Sequence, residues 1–125
     1  MKSITFTFDG VFPSLNQYSD AERTNRHKAA TMKRENTERV QWVARGAEPV
    51  PDDAYPVTVE FDYYLPNKRT DPDNIVFAKK FVLDGLQAAG VIRNDGWNEI
   101  AGFRERWHVD KCRPRVEVTL ISETQ

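Results

Sequence analysis

The 125-residue chain holds a single cysteine, Cys112, so no intrachain disulfide can form and a cysteine-based zinc site is excluded. No apolar run approaches the length needed to cross a bilayer, and the start, Met-Lys-Ser-Ile-Thr-Phe, carries no apolar signal region. A cytoplasmic protein without membrane contact is the default expectation. Charge of one sign is missing too: the formal net charge is −1, which speaks weakly against a nucleic-acid partner. There is no glycine-rich phosphate loop, no Ser-His-Asp order and no context for a nucleophilic cysteine. The two histidines, His27 and His108, stand among basic residues and read as surface positions. Trp42, Trp97 and Trp107 read as core or rim packing rather than base-stacking platforms.

What is present describes one ordinary globular domain, with 39% hydrophobic and 30% charged residues. The near-zero charge hides a segregation. Between Asp20 and Gly46 seven Lys/Arg face four acids, and a second basic cluster runs from Arg104 to Arg115. A local basic face can bind phosphates although the total is neutral, but mixed charge also simply solvates a helix.

Periodicity orders the chain. Ile4, Phe6 and Phe8 alternate with threonines as in a half-buried strand that stops at Asp9-Gly10. "VFPSLNQYSD" reads as loop. Ser19 and Glu22 make a capping box for a helix with Ala29, Met32, Val40, Val43 and Ala44 inward and Gly46 as its stop; the polar first turns leave disorder as the other reading. Val57, Val59, Phe61, Tyr63 and Leu65 form the clearest strand. A second helix is predicted from about Pro72 to Ala89, with Ile75, Ala78, Val82 and Leu86 on one face and Gly90 ending it. Residues 101–109 and 116–120 alternate again and suggest an antiparallel hairpin. The order β-α-β-α-β-β predicts an α+β domain over residues 1–122, a mixed sheet with helices on one face, and a loose tail at 123–125.

The chemistry concentrates in "RTDPDN". Asp71 before Pro72 is a common helix entry, with the aspartate as N-cap and Asp73 favoured by the helix dipole. Asp95, before Gly96, is ordinarily a turn residue. The other reading is a metal site. If the chain folds back after Gly90 and Asp71, Asp73 and Asp95 converge, their repulsion requires a divalent cation, and oxygen-only ligands suit Mg²⁺ or Mn²⁺.

"RTDPDN", then "KKFVLDGLQAAGV", then "NDGWNEI", with "PSLNQY" and "MKRENTERV" upstream, resembles the RusA family of Holliday junction resolvases over most of the chain. The resemblance implies a RusA-like fold and a homodimer that resolves four-way DNA junctions by paired, Mg²⁺-dependent incisions in recombination and repair. It implies that Asp71, Asp73 and Asp95 are the essential, metal-holding aspartates, and that Mn²⁺ substitutes for Mg²⁺. Lys68 and Arg69, with Asn16, Lys33, Arg104 and Arg106, become the expected DNA contacts. In better-known members a lysine follows the second motif aspartate by four residues, where this chain has Phe77. Lys80, seven residues beyond Asp73 and on its helical face, takes that role in preference to Lys79. The apolar residues Phe77, Phe81 and Trp107 are the expected source of dimer contacts. Two alternatives stand beside this: a nuclease for flaps, forks or other branched DNA, and a catalytically silent DNA-binding protein of the same fold.

Overall fold

The computed structural model describes residues 3–124. Strand β1 (Ile4–Asp9) leads to helices α1 (Leu15–Thr24) and α2 (Arg26–Ala44), then a single 3₁₀ turn at Asp52–Ala54 and strand β2 (Val57–Leu65). Helices α3 (Pro72–Ile75) and α4 (Ala78–Ala88) precede strands β3 (Ile100–Val109) and β4 (Arg115–Ser122). The class is therefore α+β with a mixed four-stranded sheet, in the order β1-β4-β2-β3. Among the described residues no helix is long and apolar enough to cross a membrane.

The expected hairpin of the last two strands does not form. β3 pairs in parallel with β2, and β4 inserts between β2 and β1, antiparallel to both. Burial explains the choice. Val116, Val118 and Leu120 are all buried and need neighbours on both sides, whereas every second residue of β3 is charged or exposed and tolerates an edge.

Alternation sets the two faces. Phe6, Phe8, Val59, Phe61, Tyr63 and Val118 point toward the helices and build the core with Val40, Val82 and Leu86. The α2–α4 contact depends on Gly85: a Cβ there would stand 2.4 Å from Val40 Cβ, so only glycine lets the helices approach this closely.

Three local expectations need correction. "VFPSLNQYSD" is not all loop, because Ser14 caps α1 in a box with Gln17, five residues before the predicted Ser19. The polar segment after it is helical as expected, although it is restarted by Asn25, whose Oδ1 accepts from the His27 and Lys28 N–H groups. Val43, expected inside, is exposed. The tail is tied down as well: the Glu123 N–H donates to Pro56 O at 3.1 Å, the Glu123 carboxylate accepts from Thr58, and Thr124 donates to Asp53 O. Gln125 lies outside the described residues.

Candidate functional site at the carboxyl end of β2

The segment from Pro66 to Asp71 leaves the end of β2 between two clefts. One, of about 430 Å³, is lined by Ser14, Tyr64, Arg69, Thr70, Ile75 and Arg115 among others. The other, of about 530 Å³, lies between Lys68, Asp71, Pro72 and Ile75 on one side and Trp107 and Val109 on the other. Asn67 shapes the loop by accepting from the Arg69 N–H at 3.0 Å.

Asp71 is the positional N-cap of α3, extended at φ −70°, ψ 149° as a residue before proline prefers. Its carbonyl accepts from the Asn74 and Ile75 N–H groups, but its carboxylate makes no capping bond. Capping thus uses the backbone of Asp71 and leaves the charged oxygens free. Among the described residues, neither Asp71, Asp73 nor Asp95 has a hydrogen bond or ion pair through its side chain. The acids of the sheet differ, since Glu60, Asp62, Glu105 and Glu117 are all paired with cations. Lys68 and Arg69 are exposed on the same loop and also lack an ion-pair partner among the described residues.

Helix α3 is fastened to α1 through Asn74, whose Oδ1 accepts from the Asn16 N–H at 2.9 Å. Asn16 therefore contacts the site through its backbone. The predicted continuous helix from Pro72 breaks at Val76–Phe77, where the Lys79 and Lys80 N–H groups bond three residues back. The tight turn lets Phe77 reach Tyr18 at 5.1 Å and Phe81 at 5.4 Å between ring centroids. It also removes the regular helical step by which Lys80 was placed on the face of Asp73.

Lys80 pairs with Asp84 at 3.4 Å, an ordinary exposed i,i+4 contact. Lys79 instead reaches the sheet. Its Nζ lies 2.8 Å from Glu105 Oε1 and 4.2 Å from the centroid of the Phe103 ring, while the Tyr63 hydroxyl donates to the same Glu105 oxygen at 3.2 Å. Burial, then the charge and hydrogen bond of Glu105, push the Tyr63 hydroxyl far above its ordinary range, so it remains a donor.

Asp95 is not brought to Asp71 and Asp73. β3 starts where β2 starts, with Val57 beside Ile100, and the two end together at Leu65 and Val109. Asp95 precedes the start and Asp71 follows the end, so eight strand steps, roughly 26 Å, separate the two ends. Among the described residues no group of three or more His, Cys, Asp or Glu side chains is placed to hold a metal ion. The trio does not fit one cation within a single copy of the chain.

The other expected DNA contacts spread widely. Lys33 is exposed on α2. Arg104 and Arg106 lie on the helix-free face of the sheet, tied to Glu60 at 3.3 Å and Asp62 at 3.0 Å. His108 joins Asp62 at 2.8 Å. Burial alone would raise the Asp62 carboxyl, but hydrogen bonds and charge from Arg106 and His108 hold it below the usual carboxylate range. These ladders escaped the sequence reading, although acids at 60 and 62 and bases at 104, 106 and 108 share the period of two that cross-strand pairing requires.

The aromatic expectations fare unevenly. Trp97 is 99% exposed, Trp42 64% and Trp107 41%, so none is core. Phe81 is fully buried and Phe77 is half-buried against Tyr18, so Trp107 is the most exposed of the three residues expected at a dimer contact. No protein-family model matches the chain, and comparison with curated proteins finds no matching relative.

Proposed function

We propose that the protein is an endonuclease for branched DNA, acting on four-way junctions as a Mg²⁺-dependent homodimer. The observation that carries this reading is the pair of carboxylates at the start of α3, Asp71 and Asp73, which follow the exposed Lys68 and Arg69 and, like them, have no side-chain partner among the described residues. Carboxylates left unpaired next to free cations suit a phosphodiester substrate, because the cations meet the backbone and the acids meet a divalent ion. Mg²⁺, when bound, would supply Lewis acidity and charge neutralisation at the phosphate. Lys68 and Arg69 hold the strand, and the two clefts beside the loop give it room.

The separation of Asp95 makes the homodimer a requirement of this reading rather than an addition. A two-fold partner can bring its own Asp95 to the Asp71–Asp73 end, giving two equivalent sites for two symmetric incisions. The paired ladders at Arg104 and Arg106 weigh against DNA binding across the open sheet face, and favour contact at the Pro66–Asp71 end.

The deciding experiment compares cleavage of a four-way junction, a flap and a linear duplex at fixed salt, with Mg²⁺ and with chelator. Junction-selective, Mg²⁺-dependent incision lost in Asp71→Asn and Asp73→Asn is the expected result. Equal cutting of flap and junction favours a broader branched-DNA nuclease. Binding without cutting under every condition ends the enzymatic reading.

A further inference from the structure

We infer that Arg93 is a positioning residue for Asp95: acting through Glu99, it closes the loop between α4 and β3 at its base and so holds the carboxylate at the tip in one place. The first and last residues of this loop are bonded to each other, Arg93 Nε donating to Glu99 Oε2 at 2.9 Å. The same guanidinium donates to Asp52 Oδ1 at 3.2 Å and lies 4.3 Å from the centroid of the Tyr55 ring. The Arg93 N–H donates to the Tyr55 hydroxyl at 3.1 Å. Asp52 and Tyr55 both precede β2, so Arg93 fixes the loop to the body of the domain as well as to itself. The backbone completes the mount. The Glu99 and Ile100 N–H groups donate to the Gly96 carbonyl, and the Glu99 carbonyl accepts from the Val57 N–H at 2.8 Å.

Glu99 makes this more than a surface ion pair. It is 7% exposed, and among the described residues only Thr58 is also polar and as deeply buried. Arg93 is its one side-chain partner among the described residues. A buried carboxylate deprived of its cation must regain water, and what moves most easily to admit it is the turn beside it. That turn is in contact with the acid: a Cβ built on Gly96 would stand 3.4 Å from Glu99 Oε1. The pair spans only six residues, so its loss acts on the loop before it acts on the sheet.

The tip has nothing else to hold it. Asn94, Asp95 and Trp97 are exposed, and Trp97, at 99%, packs on nothing. The Asp95 N–H donates to Asn94 Oδ1 at 2.9 Å, while its carboxylate is free, the same division of backbone and side chain found at Asp71. A tip containing glycine and lacking packed side chains samples many conformations unless its ends are fixed. A catalytic or metal-holding group must be placed to within about 0.5 Å. The clamp stands on its own contacts; that the carboxylate it positions serves phosphodiester cleavage rests on the nuclease reading.

The test measures two things on the full chain: amide hydrogen exchange, and kcat and KM for a four-way junction in Mg²⁺. Arg93→Met should speed exchange of the amides of residues 94–100 about tenfold or more and leave those of β2 and β4 unchanged. It should lower kcat about tenfold or more with KM altered less than about twofold, because the reacting group is misplaced while the substrate is still bound. Arg93→Lys, which keeps the charge, should restore most of both. Glu99→Gln, which keeps the shape and loses the charge, should show the same pattern in weaker form. The double variant Arg93→Met/Glu99→Gln buries no unpaired charge, so its loop should exchange more slowly than that of Arg93→Met alone. Unchanged loop exchange in Arg93→Met overturns the clamp, and so does equal loosening of β2 and β4, which would make Arg93 a residue of the general fold. A loosened loop with unaltered kcat, or a change confined to KM, overturns the positioning role. An unaltered chain that cuts no junction ends the nuclease reading instead, and exchange alone then decides whether Arg93 holds the loop.

Discussion

Asn16 donates its backbone N–H to the Asn74 side chain at 2.9 Å, and this bond ties the four-residue helix bearing Asp73 to the start of α1. A helix of one turn cannot hold itself in water, so its position is borrowed from this bond and from the Phe77–Tyr18 contact. Replacing Asn74 with Leu removes the acceptor and leaves the Asn16 N–H unpaired. We expect a stability loss of about 1 kcal/mol, the net worth of one such bond. We expect a larger fractional loss of DNA cleavage, because the carboxylates would no longer be held in one place. Urea unfolding and a cleavage time course measure the two. An unchanged cleavage rate with reduced stability would show that the latch serves folding only.

Gly85 tests the packing that carries the site. A methyl group there collides with Val40 Cβ at 2.4 Å and with the Thr37 carbonyl at 2.9 Å, so α2 and α4 must separate. Gly85→Ala gains helix propensity but overpacks the core, and the overpacking of ~1–3 kcal/mol outweighs the propensity gain of up to ~1 kcal/mol. A lowered midpoint in thermal unfolding is the expected outcome. A raised midpoint would mean that the helices adjust freely.

The general architecture was legible in the sequence because alternation is a strong signal: Ile4-Phe6-Phe8, Val57 to Leu65 and Val116-Val118-Leu120 are all strands. Strand order was not, since the pattern of β3 says which side is apolar and nothing about its neighbour. The hairpin expectation failed because β4, buried on one full face, took the central place that proximity in sequence had assigned beside β3. At the site, residue types around Asp71 and Asp73 were readable, and so was a turn near Asp95, which the structure closes just beyond it from Gly96. The 26 Å separation of the two ends was not, because it follows from the parallel β2–β3 register, a long-range pairing with no local signature. The break at Val76–Phe77 was hidden for a similar reason: the Phe77–Tyr18 contact that accompanies it joins residues far apart in sequence.

Acid loosens the open face of the sheet only when Asp62 takes up a proton. Asp62 has its folded pKa held below the ordinary value of 3.8, chiefly by Arg106 and His108 acting against the opposing effect of burial. A depressed carboxylate contributes stability that is fully present above the unfolded pKa and is lost as pH falls through the folded one. The window therefore lies below about pH 4. Asp62→Asn should flatten the pH dependence of stability in that range and cost stability at neutral pH. An unaltered acid limb in the variant would show that other carboxylates govern it.

The placement of Asp95 gives a prediction that distinguishes a site built within one copy from a site built by two. Asp71→Asn and Asp95→Asn should each be inactive as pure proteins. When they are mixed and allowed to exchange subunits, half of the dimers contain one of each. If Asp71 and Asp73 of one copy work with Asp95 of the other, such a dimer has one site carrying both defects and one carrying none. A mixture should then recover about a quarter of the wild-type sites and nick junctions on a single strand rather than cutting both. If the trio instead worked within one copy, every site in the mixture would keep one defect and nothing would return. Denaturing gels of a junction labelled on one strand separate these outcomes. The register that sets Val57 beside Ile100 and Leu65 beside Val109 favours recovery, because it puts the segments carrying Asp95 and Asp71 at opposite ends of the β2–β3 pair in each copy.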